Sequence, residues 1–547
     1  MKHAVIMLCH TDMSTVERHV RHFDDDFRFY IHIDKGSKIA NAELERLAAD
    51  NPNVRIYRKY RVRWGGIGIV KAELYLLRKV MDDGGADFIH ICSGQDLPIC
   101  SLDEIKEFFG QNKGHQFIEC HRLPYSGWHG GSMWRLDRYH PFDILDCDST
   151  TGKTIQRLLW RIQDSIHLRR KLPTQYAALY GGSNWMSLSG DCARYIAGGD
   201  ERIRGFLKRL RHTFASDEVF FQTVVMNSPF ADSVVPDSKR LTVWKPGSRS
   251  PEILTDADLW RIKTSDCLWA RKFKSPESDT LLRILAEREN VETEKDILLF
   301  VVHFLTDSLL ERFMRVAEGF RSFGDAFIVY CGEISEQEKE ICARLGAKLI
   351  TIGEDHVNSL CYSPIEETII PGSNHFLLMW VFSRLPYYRN YWNVEYDVDF
   401  SGEWETFFKT HSPRQADFIS CRVKTIAEMP EWYWWYSFKP LTDEIPRENF
   451  MNSFNPIYRI SRRALQALDR YLKEGNEGHH EVLIPTFLNH AGFKVSDFGG
   501  NGSFVDDGFK DSAYVASGQY SSMRYRPAVD PNREMTEKDK LYHPVKE

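Results

Sequence analysis

The chain has 547 residues, 42% of them hydrophobic and 13% aromatic, enough for the buried cores of two or more domains. A formal net charge of −6 and a pI near 6.4 exclude the general positive field that holds a nucleic-acid backbone, leaving only local basic patches. The apolar stretch in the opening MKHAVIMLCHTD is too short for a signal peptide or a membrane span, so a cytoplasmic location is expected. The eleven cysteines show no CxxC or CxxxC spacing, and Cys9, Cys92 and Cys331 fall inside apolar strand-like runs. They read as reduced core thiols, with no zinc site and no disulfide framework.

In chain order, AVIMLC at 4–9 is a buried-type strand, 15–23 a helix, and FYIHID at 29–34 a second strand ending in an acid. A strand at 54–57, a helix at about 69–83, a strand at 88–93, a helix at 102–109 and a strand at 116–119 continue the alternation. Such alternation predicts an α/β fold with a mostly parallel sheet. The segment ERENVETEK at 287–295 reads as a helix end and linker. Beyond it strands at 296–303, 326–331 and 347–352 alternate with helices at 309–323 and 336–345. The expected domains are 1–290 and 294–520, with residues 521–547, rich in Arg, Lys, Pro and Glu and poor in periodicity, as a tail.

One pattern occurs in both halves. DEVFFQTVVMNSPF at 217–230 returns as HEVLIPTFLNHAGF at 480–493, each with a carboxylate at the head of an apolar run. In the first copy Ser216 stands where an N-cap would, and Glu218 falls in the first helical turn, whose N–H groups and dipole favour an anion. A carboxylate held there is a candidate general base, and Glu481 is its counterpart. In open α/β sheets ligands bind beyond the carboxyl ends of strands, which draws attention to His10, Asp34, the Ser93–Pro98 turn and Glu119. The turn RWGGIG at 63–68 could offer N–H groups to an anion, or be an ordinary turn. No DxD stands at a strand end in this half, so a bound diphosphate would have to be met by cationic side chains. Lys245, Arg249, Arg271 and Lys272 are the available group, unless they form a solvated basic loop.

The motifs HIDKGS (32–37), VRWGGIGIVKAELYLL (62–77), DFIHICSGQDLPICS (87–101), GGSNWMSLSGDCARYI (181–196), SDEVFFQT (216–223) and DCLWARKF (266–273) occur in one order. In that order and spacing, residues 1 to about 275 resemble the core-2/I-branching N-acetylglucosaminyltransferase and peptide xylosyltransferase family. The resemblance implies a GT-A fold and an inverting transfer of GlcNAc or xylose from a UDP-sugar without a metal. It implies Glu218 as catalytic base and Arg249 and Lys272 as the cations on the leaving diphosphate, with Asp34 at the nucleoside end; His10, from its place after the first strand, is expected on the same donor side. The resemblance further implies Glu119, Trp244 and either Arg135 or Arg138 as acceptor contacts. Relative to the animal enzymes, no membrane anchor, stem or disulfide cysteines are expected here. The chain is similar to a soluble bacterial form working on capsule, lipopolysaccharide or another surface glycan, with a glycan or lipid-linked oligosaccharide as acceptor and peripheral membrane association compatible with that role.

In the second half YWNVEYDVDF at 391–400 sets Glu395, Asp397 and Asp399 at alternate positions, on one face of an extended segment. Asp397 and Asp399, at DxD spacing, can hold Mn2+ or Mg2+ against a diphosphate; an acidic edge strand is the plain alternative. With Glu481 downstream, the half resembles a second, metal-dependent GT-A domain. Trp432, Trp434 and Trp435 are either a sugar-stacking platform or core. The favoured function is therefore a bifunctional glycosyltransferase, against a single transferase carrying a carbohydrate-binding or scaffolding module. A nucleotide-binding oxidoreductase is disfavoured, because no GxGxxG follows the first strand.

Overall fold

The apolar run near the N-terminus forms the strand His3–Cys9, buried on both faces. Ala4 and Ile6 enter one hydrophobic cluster and Val5, Met7 and Cys9 another, so the period-2 alternation of a strand feeds two cores at once. Helices Gly68–Asp82, Gly190–Gly198 and Asp217–Met226 supply the first cluster; Met13–His22, Asn41–Asp50 and Leu102–Gln111 supply the second. The result is a helix–sheet–helix sandwich. This computed structural model describes all residues except 11–12, 129–131, 148, 246–247, 249, 288–292, 367–368, 442–444, 517–520 and 547, and only the backbone of 286–287.

The chain divides into two units, Met1–Glu287 and Arg288–Glu547. Each has a seven-stranded sheet. In the first the order is Val234–Val235, Gln116–Ile118, Met186–Ser189, Phe88–Ser93, His3–Cys9, Phe27–Ile33, Val54–Tyr57. Only Met186–Ser189 runs antiparallel to its neighbours. In the second the order is Val495–Asp497, Phe418–Thr425, Met451–Ser461, Asn390–Glu395, Asp296–Val302, Gly324–Cys331, Lys348–Ile352, with Met451–Ser461 as the antiparallel member. Counted along the chain, both sheets have the same topology, with the fourth strand central and the first beside it. The repeated pattern occupies one place in both: helices Asp217–Met226 and His480–His490 each join the antiparallel strand to the last strand.

Two sequence expectations fail. Residues 521–547 are not a tail: Leu541–Tyr542 pairs with Asp399–Phe400, Val545 N–H donates to Asp397 O at 2.8 Å, and Leu541, Tyr542 and Val545 are buried. Their apolar residues are irregularly spaced and dock through single bridges, so no periodicity announces them. Ser216 does not cap its helix; its backbone is already helical and its hydroxyl makes no capping bond. In the second copy His479 caps instead, its Nδ1 accepting from Glu481 N–H at 3.2 Å. All eleven cysteines are free thiols.

Candidate active sites

In the first unit strands His3–Cys9, Phe27–Ile33 and Phe88–Ser93 run in register, so the residues that follow them share one rim. Asp34 N–H donates to Cys9 O, and its Oδ1 accepts from Val62 N–H at 2.7 Å. His10 is exposed beside it, its carbonyl accepting from Ser37 Oγ. The turn after the fourth strand folds on Asp96, which accepts from Ser93 N–H and Oγ at 2.7 and 2.8 Å. Buried there, Asp96 meets Arg271 Nε at 3.2 Å, and the guanidinium lies 4.0 Å above the Trp185 ring. Lys272 comes next. It is half-buried, has no carboxylate within 4 Å among the described residues, and burial with the charges of Arg271 and Lys274 lowers its pKa. A lysine so placed is available to an anionic ligand, which would favour its charged form. Arg249 lies outside the described residues; Lys245 pairs with Glu252.

Glu218 heads its helix with its side chain about one-third exposed and in contact with Arg135 Nη1. Arg135 is itself sandwiched over Trp128 at 4.3 Å and Phe214 at 5.4 Å, which fixes its direction. Gly182 ties the neighbouring loop in. Its N–H donates to Glu218 O at 3.0 Å, and a Cβ there would stand 1.9 Å from Glu119 O, so only glycine permits the approach. Glu119, whose Oε1 lies 3.1 Å from His121 Nε2, is thereby brought to the Glu218 helix. Behind Glu218 stand two buried carboxyls the sequence did not single out. Glu73 accepts from Asn184 Nδ2 at 2.7 Å; burial and the charge of Asp217 push its pKa well up. Asp217 is likewise raised, by burial and the charge of Glu218. Glu218 is the exposed member of this group of three carboxyls.

Arg138 is turned elsewhere. It pairs with Asp164 at 3.1 Å, so of the two arginines only Arg135 reaches Glu218; a three-residue offset on one short helix and its exit loop separates their directions. Trp244 is 54% exposed, its Nε1 on Thr242 Oγ1 at 3.3 Å. In the turn at 63–68 Gly66 N–H is taken by Arg63 O at 3.1 Å and Ile67 N–H by Asp143 Oδ1 at 3.0 Å.

In the second unit the acids after the fourth strand do not share one face. Strand Asn390–Glu395 ends at Glu395, a turn follows at Tyr396 and Asp397, and the alternation is broken. Asp399 consequently faces away: its Oδ2 takes Arg315 Nη2 at 3.0 Å, with Arg312 Nε at 3.8 Å, and its Oδ1 takes Phe400 N–H. It is a structural ion pair, which removes it from the expected Asp397–Asp399 metal pair. What joins Asp397 is Glu395 and, from the supposed tail, His543, with one ligand atom of each within 4.8 Å of the others. His543 Nδ1 sits 2.8 Å from Arg524 O, so it carries the proton and Nε2 presents a lone pair. Nε2 is 3.2 Å from Asp397 Oδ1 and 3.8 Å from Glu395 Oε2. Asp397 Oδ1 is buried and has no hydrogen bond among the described residues. With Nε2 unprotonated, three acceptor atoms face one another, an O, O, N donor set that fits a divalent cation. Without one, burial and the charge of Asp397 push Glu395 up to about 7. Burial would depress His543, but its contacts with Asp397 and Glu395 outweigh that and raise it.

Glu481 lies within the field of this cluster. Its side chain is 14% exposed, Oε1 accepts from Asn455 N–H at 3.1 Å, and burial with the charge of Glu395 raises its pKa to about 8. Of the three tryptophans, Trp435 is core, its Nε1 on Met429 O, while Trp434 stacks on His479 at 4.6 Å between centroids. The sequence signal for Glu395 was present; that for His543 was not, since its role depends on a chain return of well over a hundred residues.

Residues 4–263 match the family described as Core-2/I-Branching enzyme. Xylosyltransferase oxt of Drosophila melanogaster is 29% identical over 224 residues, 40% of this chain and 23% of that protein. Xylosyltransferase 2 of Canis lupus familiaris is 27% identical over 290 residues, 49% of this chain and 30% of that protein. The chain thus spans less than a third of the length of these relatives. Among solved structures, the WbbM bifunctional glycosyltransferase aligns over 92% of this chain and 89% of its own at 10% identity, with a TM-score of 0.29. No helix among the described residues is long and apolar enough to cross a membrane.

Proposed function

We propose, from the premise that residues 4–263 are a Core-2/I-Branching enzyme domain, that the chain is a glycosyltransferase with one active site in each unit. In the first unit Glu218 takes the proton from an acceptor hydroxyl as that oxygen attacks the anomeric carbon of a UDP-sugar from the face opposite UDP. Lys272 and Arg249 stabilise charge on the departing diphosphate, and the configuration inverts. Arg135 holds the Glu218 carboxylate in place, while Glu119 and Trp244 receive the acceptor. His10 and Asp34 hold the nucleoside end. The donor is UDP-GlcNAc or UDP-xylose. The observation that carries the reading is Glu218 at its helix mouth, held by Arg135 and backed by the buried carboxyls of Asp217 and Glu73.

In the second unit Glu395, Asp397 and His543 would hold a divalent cation, with Glu481 as base or acceptor contact. When bound, Mn2+ or Mg2+ neutralises charge on a diphosphate there. The acceptor is assigned to a bacterial surface glycan, capsule or lipopolysaccharide, built on the cytoplasmic side where UDP-sugars are available. The test is transfer from radiolabelled UDP-GlcNAc and UDP-xylose by the full chain. Glu218→Gln should lose one transfer and Asp397→Ala the other. If Asp397→Ala loses none, the second unit is a module that presents the acceptor; if Glu218→Gln loses none, the assignment of the base is wrong.

A further inference from the structure

Helix Thr150–Ser165 is built inside out. The residues it buries are Gly152, Gln156 and Gln163, held by polar contacts: Gln163 Nε2 donates to Tyr139 O at 3.0 Å and Gln163 Oε1 accepts from Tyr139 N–H at 2.8 Å. Leu159 is half-buried, but the other large aliphatic residues point outward. Ile155, Leu158 and Ile162 are 38%, 56% and 46% exposed, and Ile166, at its C-terminal boundary, is 64% exposed. Their spacings of three, four and four place them in one stripe. A soluble surface normally has the reverse arrangement, and a contiguous exposed apolar stripe marks a docking face.

The charge beside the stripe identifies what docks. Arg157 and Arg161 are exposed on the same helix, and Lys153 adds a third cation. The sole acid of the helix, Asp164, is neutralised by Arg138 at 3.1 Å and Arg169 at 2.9 Å. Against a whole-chain charge of −6, this surface is basic. Aliphatic side chains flanked by arginines suit an interface where acyl chains meet anionic headgroups. We infer that helix Thr150–Ser165 lies on an anionic lipid surface, with Ile155, Leu158, Ile162 and Ile166 inserted among acyl chains and Arg157 and Arg161 on headgroup phosphates.

The test is co-sedimentation of the full chain with vesicles of phosphatidylcholine alone and with phosphatidylglycerol added. Binding should require phosphatidylglycerol and weaken with salt. Arg157→Ser with Arg161→Ser should weaken it on the order of 30-fold, at about fivefold for each basic residue near the surface. Leu158→Glu with Ile162→Glu should abolish it, and as the side chains are exposed the melting temperature and sugar transfer to a soluble acceptor should be unchanged. Equal binding by wild type and the glutamate variant would overturn the inference. So would absence of vesicle binding by a wild-type protein that light scattering shows as a dimer and the glutamate variant as a monomer, since the stripe would then cover a second copy.

Discussion

The role proposed for Glu218 rests on its neighbours: Arg135 meets its carboxylate, and the carboxyls of Asp217 and Glu73, both raised chiefly by burial, stand behind it. Glu218→Gln should slow transfer on the order of 10²–10⁴-fold while leaving UDP binding intact, measured by initial rates and by calorimetric titration with UDP. Lys272 is expected to show the complement. Lys272→Ala should weaken UDP binding on the order of 10- to 100-fold, the range for a hydrogen bond to a charged group, and the same calorimetry checks it. At this scale the sequence singled out Glu218 and Lys272 because each sits on a motif, and the structure describes their surroundings without testing their roles. The sequence could not separate Arg135 from Arg138, because both occur in one short turn of chain and only packing on Trp128 and Phe214 directs the first. Glu73 was hidden for another reason: on a helix surface a glutamate is ordinary, and its burial is a property of the fold.

The loop after the fourth strand is the element on which the two units differ. In the first it presents Asp96, satisfied by Arg271; in the second it presents Glu395 and Asp397, facing His543. The DxD spacing drew attention to this loop but mispaired its acids, since a turn at Tyr396–Asp397 ends the extended geometry on which alternation depends and Asp399 pairs with Arg315. Isothermal titration with Mn2+ should therefore give no binding for Asp397→Ala or His543→Ala, and near wild-type affinity for Asp399→Ala. The same loop makes stability depend on pH. Glu395 and Glu481 titrate at about 7 and about 8 in the fold, chiefly through burial, against about 4.3 in an unfolded chain. Between those values the folded protein holds protons that the unfolded chain has released. Their contribution is complete below about pH 4 and is lost as pH rises through about 7 to 8. Metal-free protein should thus melt at a lower temperature at about pH 9 than at about pH 5, with the slope reduced in Glu481→Gln and by added Mn2+.

Over the whole molecule, two sheets of identical topology each place a carboxylate-headed helix between the antiparallel strand and the last strand. The alternation of apolar runs and amphipathic helices made both α/β units readable, because parallel strands buried on two faces are continuous apolar segments. The C-terminal segment was unreadable for the opposite reason: Leu541, Tyr542 and Val545 dock singly amid charged residues. Leu541→Ala should cost about 2–5 kcal/mol in chemical denaturation of the full chain, the range for a buried leucine, where a tail would give no change. The claim that the two units meet diphosphate charge differently, one with cationic side chains and one with a metal, is tested most directly by a single measurement. Sugar transfer by the full chain is followed with and without EDTA, in the wild type, in Glu218→Gln and in Asp397→Ala combined with His543→Ala. The activity left in Glu218→Gln should vanish with EDTA, and that left in the double variant should be indifferent to it. Loss of the double variant's remaining activity in EDTA would contradict a metal-free first site.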